Sequence, residues 1–173
     1  VTRAVGEDVD EYTITASGDE DQGNYKVSYV TGTFTIKPAE VILTAENDES
    51  VYNGEEQSST KSYKSSVEGL IFEGITVSGK GTDAGNYDIT FSDGAIGKKD
   101  STGNYTVKNV VNGTFTINPK AVTVTADDAD KTYGETDPEL TATVDGTLNS
   151  DTVEYTVTRA VGEDVDEYTI TAS

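Results

Sequence analysis

The chain has 173 residues and a formal net charge of −20, and it contains no Cys, Met, Trp or His. This composition excludes thiol nucleophiles, Cys or His metal centres, imidazole acid–base chemistry and bracing by disulfides. A field this negative repels nucleic acid and anionic membranes, so neither a nucleic-acid partner nor membrane insertion is expected.

Residues 1–17, VTRAVGEDVDEYTITAS, return letter for letter as residues 157–173, a period of 156 residues. Identity over so many positions, surface ones included, marks recent tandem duplication. The repeated stretch carries −3 of the charge, leaving −17 per period. An older repeat lies inside the first, since Gly32-Thr33-Phe34-Thr35-Ile36-Lys37-Pro38 reappears 81 positions later as Gly113-Thr114-Phe115-Thr116-Ile117-Asn118-Pro119. After each proline the match continues from Val41 to Tyr52 and from Val122 to Tyr133. The expected organisation is residues 1–38 as the C-terminal half of a domain B, 39–119 as a complete domain A, and 120–173 as the N-terminal part of the next domain B. The 173 residues are read as a window on a longer array; the alternative is completion of domain B in trans by a neighbouring chain.

Taken in chain order, the predicted elements are strands with a period of two. Tyr12, Ile14 and Ala16 alternate with Thr13 and Thr15, followed by Tyr25, Val27 and Tyr29 and then by Phe34 and Ile36. Later, Val122, Val124 and Ala126 alternate with threonines, as do Leu140, Ala142 and Val144; Val153, Tyr155 and Val157 repeat the spacing. Such alternation puts the apolar set, including nearly all the tyrosines, on a buried face and Thr on a solvated one. Thr31-Gly32 and Asn112-Gly113 read as hairpin links, the second being the dipeptide best suited to two positive φ angles. Gly146 to Asp151 reads as one short turn of helix.

The predicted fold class is all-β, as tandem small Ig-like β-sandwich domains joined end to end, with roughly six strands each that are antiparallel or nearly so. A β-grasp-like module is the alternative, and it requires a helix that the pattern does not show. A final strand running through Pro38 directly into the next domain leaves almost no linker, which predicts a semi-rigid rod.

The acidic loops are the one candidate binding chemistry. Asp127, Asp128 and Asp130 follow the first strand of domain B, and Asp19 and Asp21 precede its last hairpin. An up-down path brings both loops to one pole, where carboxylates could collect Ca²⁺, a hard cation that takes six to eight oxygen ligands. The competing reading is solvated turns rich in Asp and Asn for backbone reasons, and no calcium-loop consensus is present. A glycosidase would need two carboxyls in a deep cleft, for which a small sandwich has no room. Asn104-Tyr105-Thr106 and Asn112-Gly113-Thr114 fit the glycosylation acceptor pattern but read as turn asparagines. Lys120, near a first strand, makes an isopeptide bond conceivable, although no spacing singles out a partner.

The residues Thr132-Tyr133-Gly134-Glu135-Thr136-Asp137-Pro138-Glu139-Leu140, Thr158-Arg159-Ala160-Val161-Gly162-Glu163-Asp164 with Tyr168, Gly23-Asn24-Tyr25 and the closing Gly-Thr-Phe-Thr-Ile-x-Pro resemble the MBG-type repeats of bacterial surface proteins with a Tyr-Gly-x signature. The resemblance spans domain B. Domain A departs from it, with Tyr52-Asn53-Gly54 in place of Tyr-Gly-Glu. The resemblance implies an extracellular bacterial adhesin or fibre of tandem modules, with no enzyme and no catalytic residues. The expected function is a stalk segment whose partners are neighbouring identical repeats; the alternatives are a module binding a host glycan or protein, or a fibre subunit completing domain B in trans.

Overall fold

The computed structural model describes residues 1–173. It is all-β: strands make up 40% of the chain and no helix forms, whereas an ordinary globular chain has about a quarter strand. The chain divides into two compact units. One comprises residues 1–48, 58–80 and 86–115; the other comprises residues 49–57, 81–85 and 116–173.

In the first unit, Glu11–Thr15 is the centre of a three-stranded antiparallel sheet, with Thr2–Arg3 on one edge and Gly32–Thr35 on the other. The register sets Tyr12 opposite Phe34 and Ile14 opposite Gly32. A separate small hairpin joins Asp21–Gln22 to Tyr25–Lys26. Its turn places the positive φ on Gly23, at +70°, where a Cβ would be strained.

The second three-stranded sheet has Ala39–Ala45 at its centre, antiparallel to Tyr63–Ser65 and parallel to Tyr105–Val111. A register shift between Val107 and Asn109 interrupts the parallel pair. Val41, Leu43 and Ala45 point inward at alternate positions of the central strand. Val41 and Leu43 join Phe72, Ile75, Ala95 and Val107 in one core cluster. A further sheet has the strand order Val77–Ser78, Gly85–Phe91, Gly113–Asn118, Asp48–Val51, and contributes the buried Ile89, Phe115 and Ile117. Every fully buried hydrophobic residue lies between Val41 and Ile117.

Two expected hairpin links are corrected. Thr31-Gly32 is not a hairpin link, because Gly32–Thr35 pairs with Glu11–Thr15 and not with the strand preceding it. Neither Asn112 nor Gly113 has a positive φ. Tyr105–Val111 belongs to one sheet and Gly113–Asn118 to another, so this link carries the chain between sheets. Gly113 is needed for close approach, since a Cβ there would meet the carbonyl oxygens of Glu46 and Ala45 at 2.9 and 3.0 Å.

In the second unit, Thr123–Ala126 pairs antiparallel with Ala142–Asp145, and Val157–Arg159 with Ile170–Ala172. The inward residues Val124, Ala126, Ala142 and Val144 are only half-buried. Gly146 to Asp151 forms no helical turn. Asn149 and Ser150 take φ of +53° and +65°, and the Asp151 N–H donates to the Leu148 carbonyl at 2.7 Å. Two consecutive positive φ angles closed by that bond have the hand of a type I′ turn. The Tyr-Gly signature is also a turn: the Glu135 N–H donates to the Thr132 carbonyl at 3.0 Å, and Gly134 has φ +88°. A positive φ at the third turn position is what calls for glycine after tyrosine. In the Tyr52-Asn53-Gly54 variant the positive φ, +81°, again falls on the glycine, and the Asn53 side chain accepts from the Glu55 N–H at 2.9 Å.

Candidate functional site

A cleft of about 1090 Å³ lies in the second unit, between residues 128–133 and residues 162–170, with Asp137, Leu140 and Arg159 also on its walls. The strand Val157–Arg159 presents Arg159, and the Tyr-Gly turn presents Lys131 and Asp137 from its two flanks.

The Arg159 guanidinium uses all its N–H edges. Nε and Nη2 reach the two Asp137 oxygens at 2.8 and 3.0 Å, and Nη2 also reaches Glu163 at 2.8 Å. Nη1 donates to the carbonyls of Ala160 and Gly162 at 2.9 and 2.8 Å. Lys131 bridges the same carboxylates at 2.7 Å each. One face of the guanidinium lies over the Tyr168 ring at 5.4 Å, a cation–π geometry. Glycine at position 162 is required, because a Cβ there would fall 1.9 Å from that ring.

Hydrogen bonds from Arg159 and then Lys131 hold the Asp137 carboxyl well below the usual carboxylate range. Glu163 is lowered by Lys131 and then Arg159. Lys131 is raised, first by Asp137 and next by Glu163. Both carboxyls therefore stay ionised and mutually neutralised with their cations. A general acid calls for a carboxyl shifted the other way; the geometry is that of an ion-pair network joining Lys131 and Asp137 to Arg159 and Glu163.

A smaller cavity of about 290 Å³ is lined by Tyr52, Lys120, Leu148 and Asp151 among others. The Tyr52 hydroxyl donates to Asp151 at 3.0 Å, and that bond raises its pKa. Lys120 Nζ donates to the Gly146 carbonyl at 2.5 Å.

Of the acidic loop residues, Asp19 and Asp21 are exposed in the first unit, and Asp128 and Asp130 are exposed in the second. Asp127, also in the second unit, accepts hydrogen bonds from the Thr141 and Thr143 hydroxyls at 2.8 and 2.9 Å, which ties its loop to the neighbouring strand. No three His, Cys, Asp or Glu side chains gather as a metal site. Asn104, of the first acceptor pattern, is engaged by the chain itself: it accepts from the Val9 N–H and donates to Asp8, both at 2.8 Å. The tyrosines are less inward than expected, with Tyr25 and Tyr133 exposed at 75% and 70%. The Lys131-Asp137-Arg159-Glu163 cluster was not legible as a unit from sequence. Its one local sign is the four-residue spacing of Arg159 and Glu163; the other two members come from a distant turn.

Among protein-family models, the MBG domain (YGX type) matches residues 1–35 and 122–173. No curated protein and no solved structure matches the chain.

Proposed function

From the membership of this chain in the MBG domain family of the YGX type, a kind of non-catalytic repeat domain found in surface proteins, we propose that it is a segment of an extracellular bacterial stalk. In this reading domain A, residues 39–119, alternates with domain B, and the array acts as a semi-rigid spacer. The observation that carries it is the 17-residue identity at a period of 156, because a polymer of near-identical modules adds reach with each copy and no new chemistry. The short links support it: only Ile36, Lys37 and Pro38 separate the strand ending at Thr35 from the one beginning at Ala39. The charge of −17 per period favours mutual repulsion along the array and solubility at high density.

Strands of six to eight residues at about 3.3 Å per residue give roughly 30–40 Å per domain, hence about 60–80 Å per period. Small-angle scattering of chains of one, two and three periods tests this. The maximum dimension is expected to rise by that fixed increment, and growth as the cube root of mass would sink the spacer reading. Adding EDTA in parallel tests cation stiffening by Asp127, Asp128, Asp130, Asp19 and Asp21; a shortened or softened particle is the result a calcium-braced joint requires. The exposed Tyr25 and Tyr133 favour, as a second reading, an adhesive surface for a host glycan or protein. A glycan array probed with the intact chain separates the two.

A further inference from the structure

We propose that the Tyr52-Asn53-Gly54 turn of domain A is a docking surface for the turn Leu148 to Asp151 of the module that follows it, and that this contact fixes the joint between the two modules. The partner is the next repeat of the same chain, so the inference rests on the tandem-repeat reading and names the residues by which one repeat holds another.

Both turns lie in the second compact unit, although residues 49–57 and 81–85 belong by sequence to domain A. Two hydrogen bonds cross between them. The Tyr52 hydroxyl donates to Asp151 at 3.0 Å, and the Asn149 side-chain amide donates to the Gly54 carbonyl at 2.8 Å. Lys120, the first residue of the following module, donates from Nζ to the Gly146 carbonyl and so ties the start of that module to the base of its docking turn. The cavity of about 290 Å³ beside these bonds has Ala84, Pro119, Val122, Leu148 and Val153 on its walls, so the two modules share apolar surface as well as polar groups.

The letters of the turn in domain A suit this partner, and those of the aligned turn in domain B do not. The 81-residue repeat aligns Tyr52-Asn53-Gly54 with Tyr133-Gly134-Glu135. A Cβ at position 54 would fall 2.4 Å from the Asn149 amide nitrogen, so this donor keeps its place only against glycine. In domain B the aligned residue is Glu135, and its carbonyl is already taken within the module by Lys131 Nζ, at 3.2 Å. The residue aligned with Lys131 is Ser50. Its buried hydroxyl makes no hydrogen bond, which leaves the Gly54 carbonyl for a donor from the next module. The departure of domain A from the Tyr-Gly-x signature thus turns an internally satisfied turn into a receiving one.

The docked turn is itself shaped for contact. Asn149 and Ser150 are the only non-glycine residues of the chain with positive φ, and a left-handed serine persists only where its surroundings hold it. Here the residues on either side of Ser150 are both held, Asn149 by Gly54 and Asp151 by Tyr52. The start of domain A is tied in a similar manner, within the first unit. The Asn104 side chain accepts from the Val9 N–H and donates to Asp8, both at 2.8 Å, and its carbonyl accepts from the Ala39 N–H, also at 2.8 Å. In the organisation read from the repeats, domain A therefore presents one turn to the module before it and another to the module after it.

Limited trypsin digestion of the full chain reads this joint, because the Lys120-Ala121 bond lies at it and is cut only when the backbone there opens. The double variant Tyr52→Phe with Asn149→Gly removes both crossing bonds while keeping the ring and a residue that takes positive φ freely. Loss of two hydrogen bonds should accelerate cleavage after Lys120 about tenfold or more, while cleavage after Lys61 and Lys64, inside domain A, changes less than about twofold. An unchanged rate at Lys120 overturns the proposal. Equal acceleration at all three sites also overturns it, because it marks loosening of the whole fold and not of the joint. If the variant does not fold, NMR of the native chain decides: nuclear Overhauser contacts are expected between the Tyr52 ring and the Leu148 to Asp151 turn, and their absence is equally fatal. These outcomes are separable from the scattering series. Length that fails to grow evenly, with Lys120 protected, sinks the stalk reading and leaves the docking surface; even growth, with Lys120 cut as fast in the native chain as in the variant, sinks the docking surface alone.

Discussion

Arg3 and Arg159 are the same letter in the same local sequence, and each pairs with the glutamate four residues on and lies over a tyrosine ring, yet Arg3 adds the Phe34 ring and Arg159 adds the Asp137 carboxylate. The difference comes wholly from which distant segment lies alongside. The network around Arg159 has a definite pH signature. The carboxyls of Asp137 and Glu163 are depressed, so their stabilisation is fully present above the ordinary carboxylate range and disappears as the pH falls through their lowered values. Lys131 is raised, so its share is present below the ordinary lysine range and is lost only as the pH climbs through its raised value. Comparison of thermal melts of the native chain and Asp137→Asn isolates this cluster from the repulsion among the other acidic groups. The native chain should melt higher at neutral pH, with the gap closing in strong acid. A gap that does not change with pH would show that the ion pairs contribute nothing to stability.

At the scale of elements, a single motif is used in two ways. The glycine of Gly113-Thr114-Phe115-Thr116-Ile117 lies against two backbone carbonyls, whereas Gly32, in the earlier copy of the motif, meets only Ile14, at 3.7 Å. Backbone cannot give way as a flexible side chain can, so Gly113→Ala should destabilise the chain by about 1–3 kcal/mol, the usual cost of overpacking. Gly32→Ala should cost under about 1 kcal/mol, the difference expected from ordinary contact and reduced chain entropy. Urea unfolding of the two variants provides the comparison; equal losses would mean that the sheet switch at Gly113 is not where the chain is tight. The turns follow the same logic. Asp100 ties its own loop by accepting from the Thr102 hydroxyl at 2.6 Å and from the Tyr105 N–H at 2.9 Å, and the Thr102 bond is the main reason its carboxyl is lowered.

Across the whole molecule, burial is uneven. The fully buried hydrophobic residues all fall between Val41 and Ile117, and residues 1–38 and 120–173 contain none. Amides in the stretches bonded over this core should therefore be the last to exchange. Hydrogen exchange is expected to be slowest in Ala39–Ala45 and Tyr105–Val111 and markedly faster in Thr123–Ala126 and Val157–Arg159. Uniform protection along the chain would contradict this gradient.

The all-β class and membership of the repeat family were legible from the letters, because strand alternation and tandem identity are local or linear properties. Hairpin links were misread at Thr31-Gly32 and Asn112-Gly113, since a Gly-containing dipeptide suits a tight turn and a close backbone crossing equally well. The left-handed turn at Asn149-Ser150 was read as helix because its composition permits both hands. The parallel pairing of Ala39–Ala45 with Tyr105–Val111 and the meeting of Lys131, Asp137, Arg159 and Glu163 depend on strands that run past one another far along the chain. Periodicity tells which face of a strand is apolar; only the folded backbone decides which other strand covers it, because that choice is made by long-range registry and exclusion of volume.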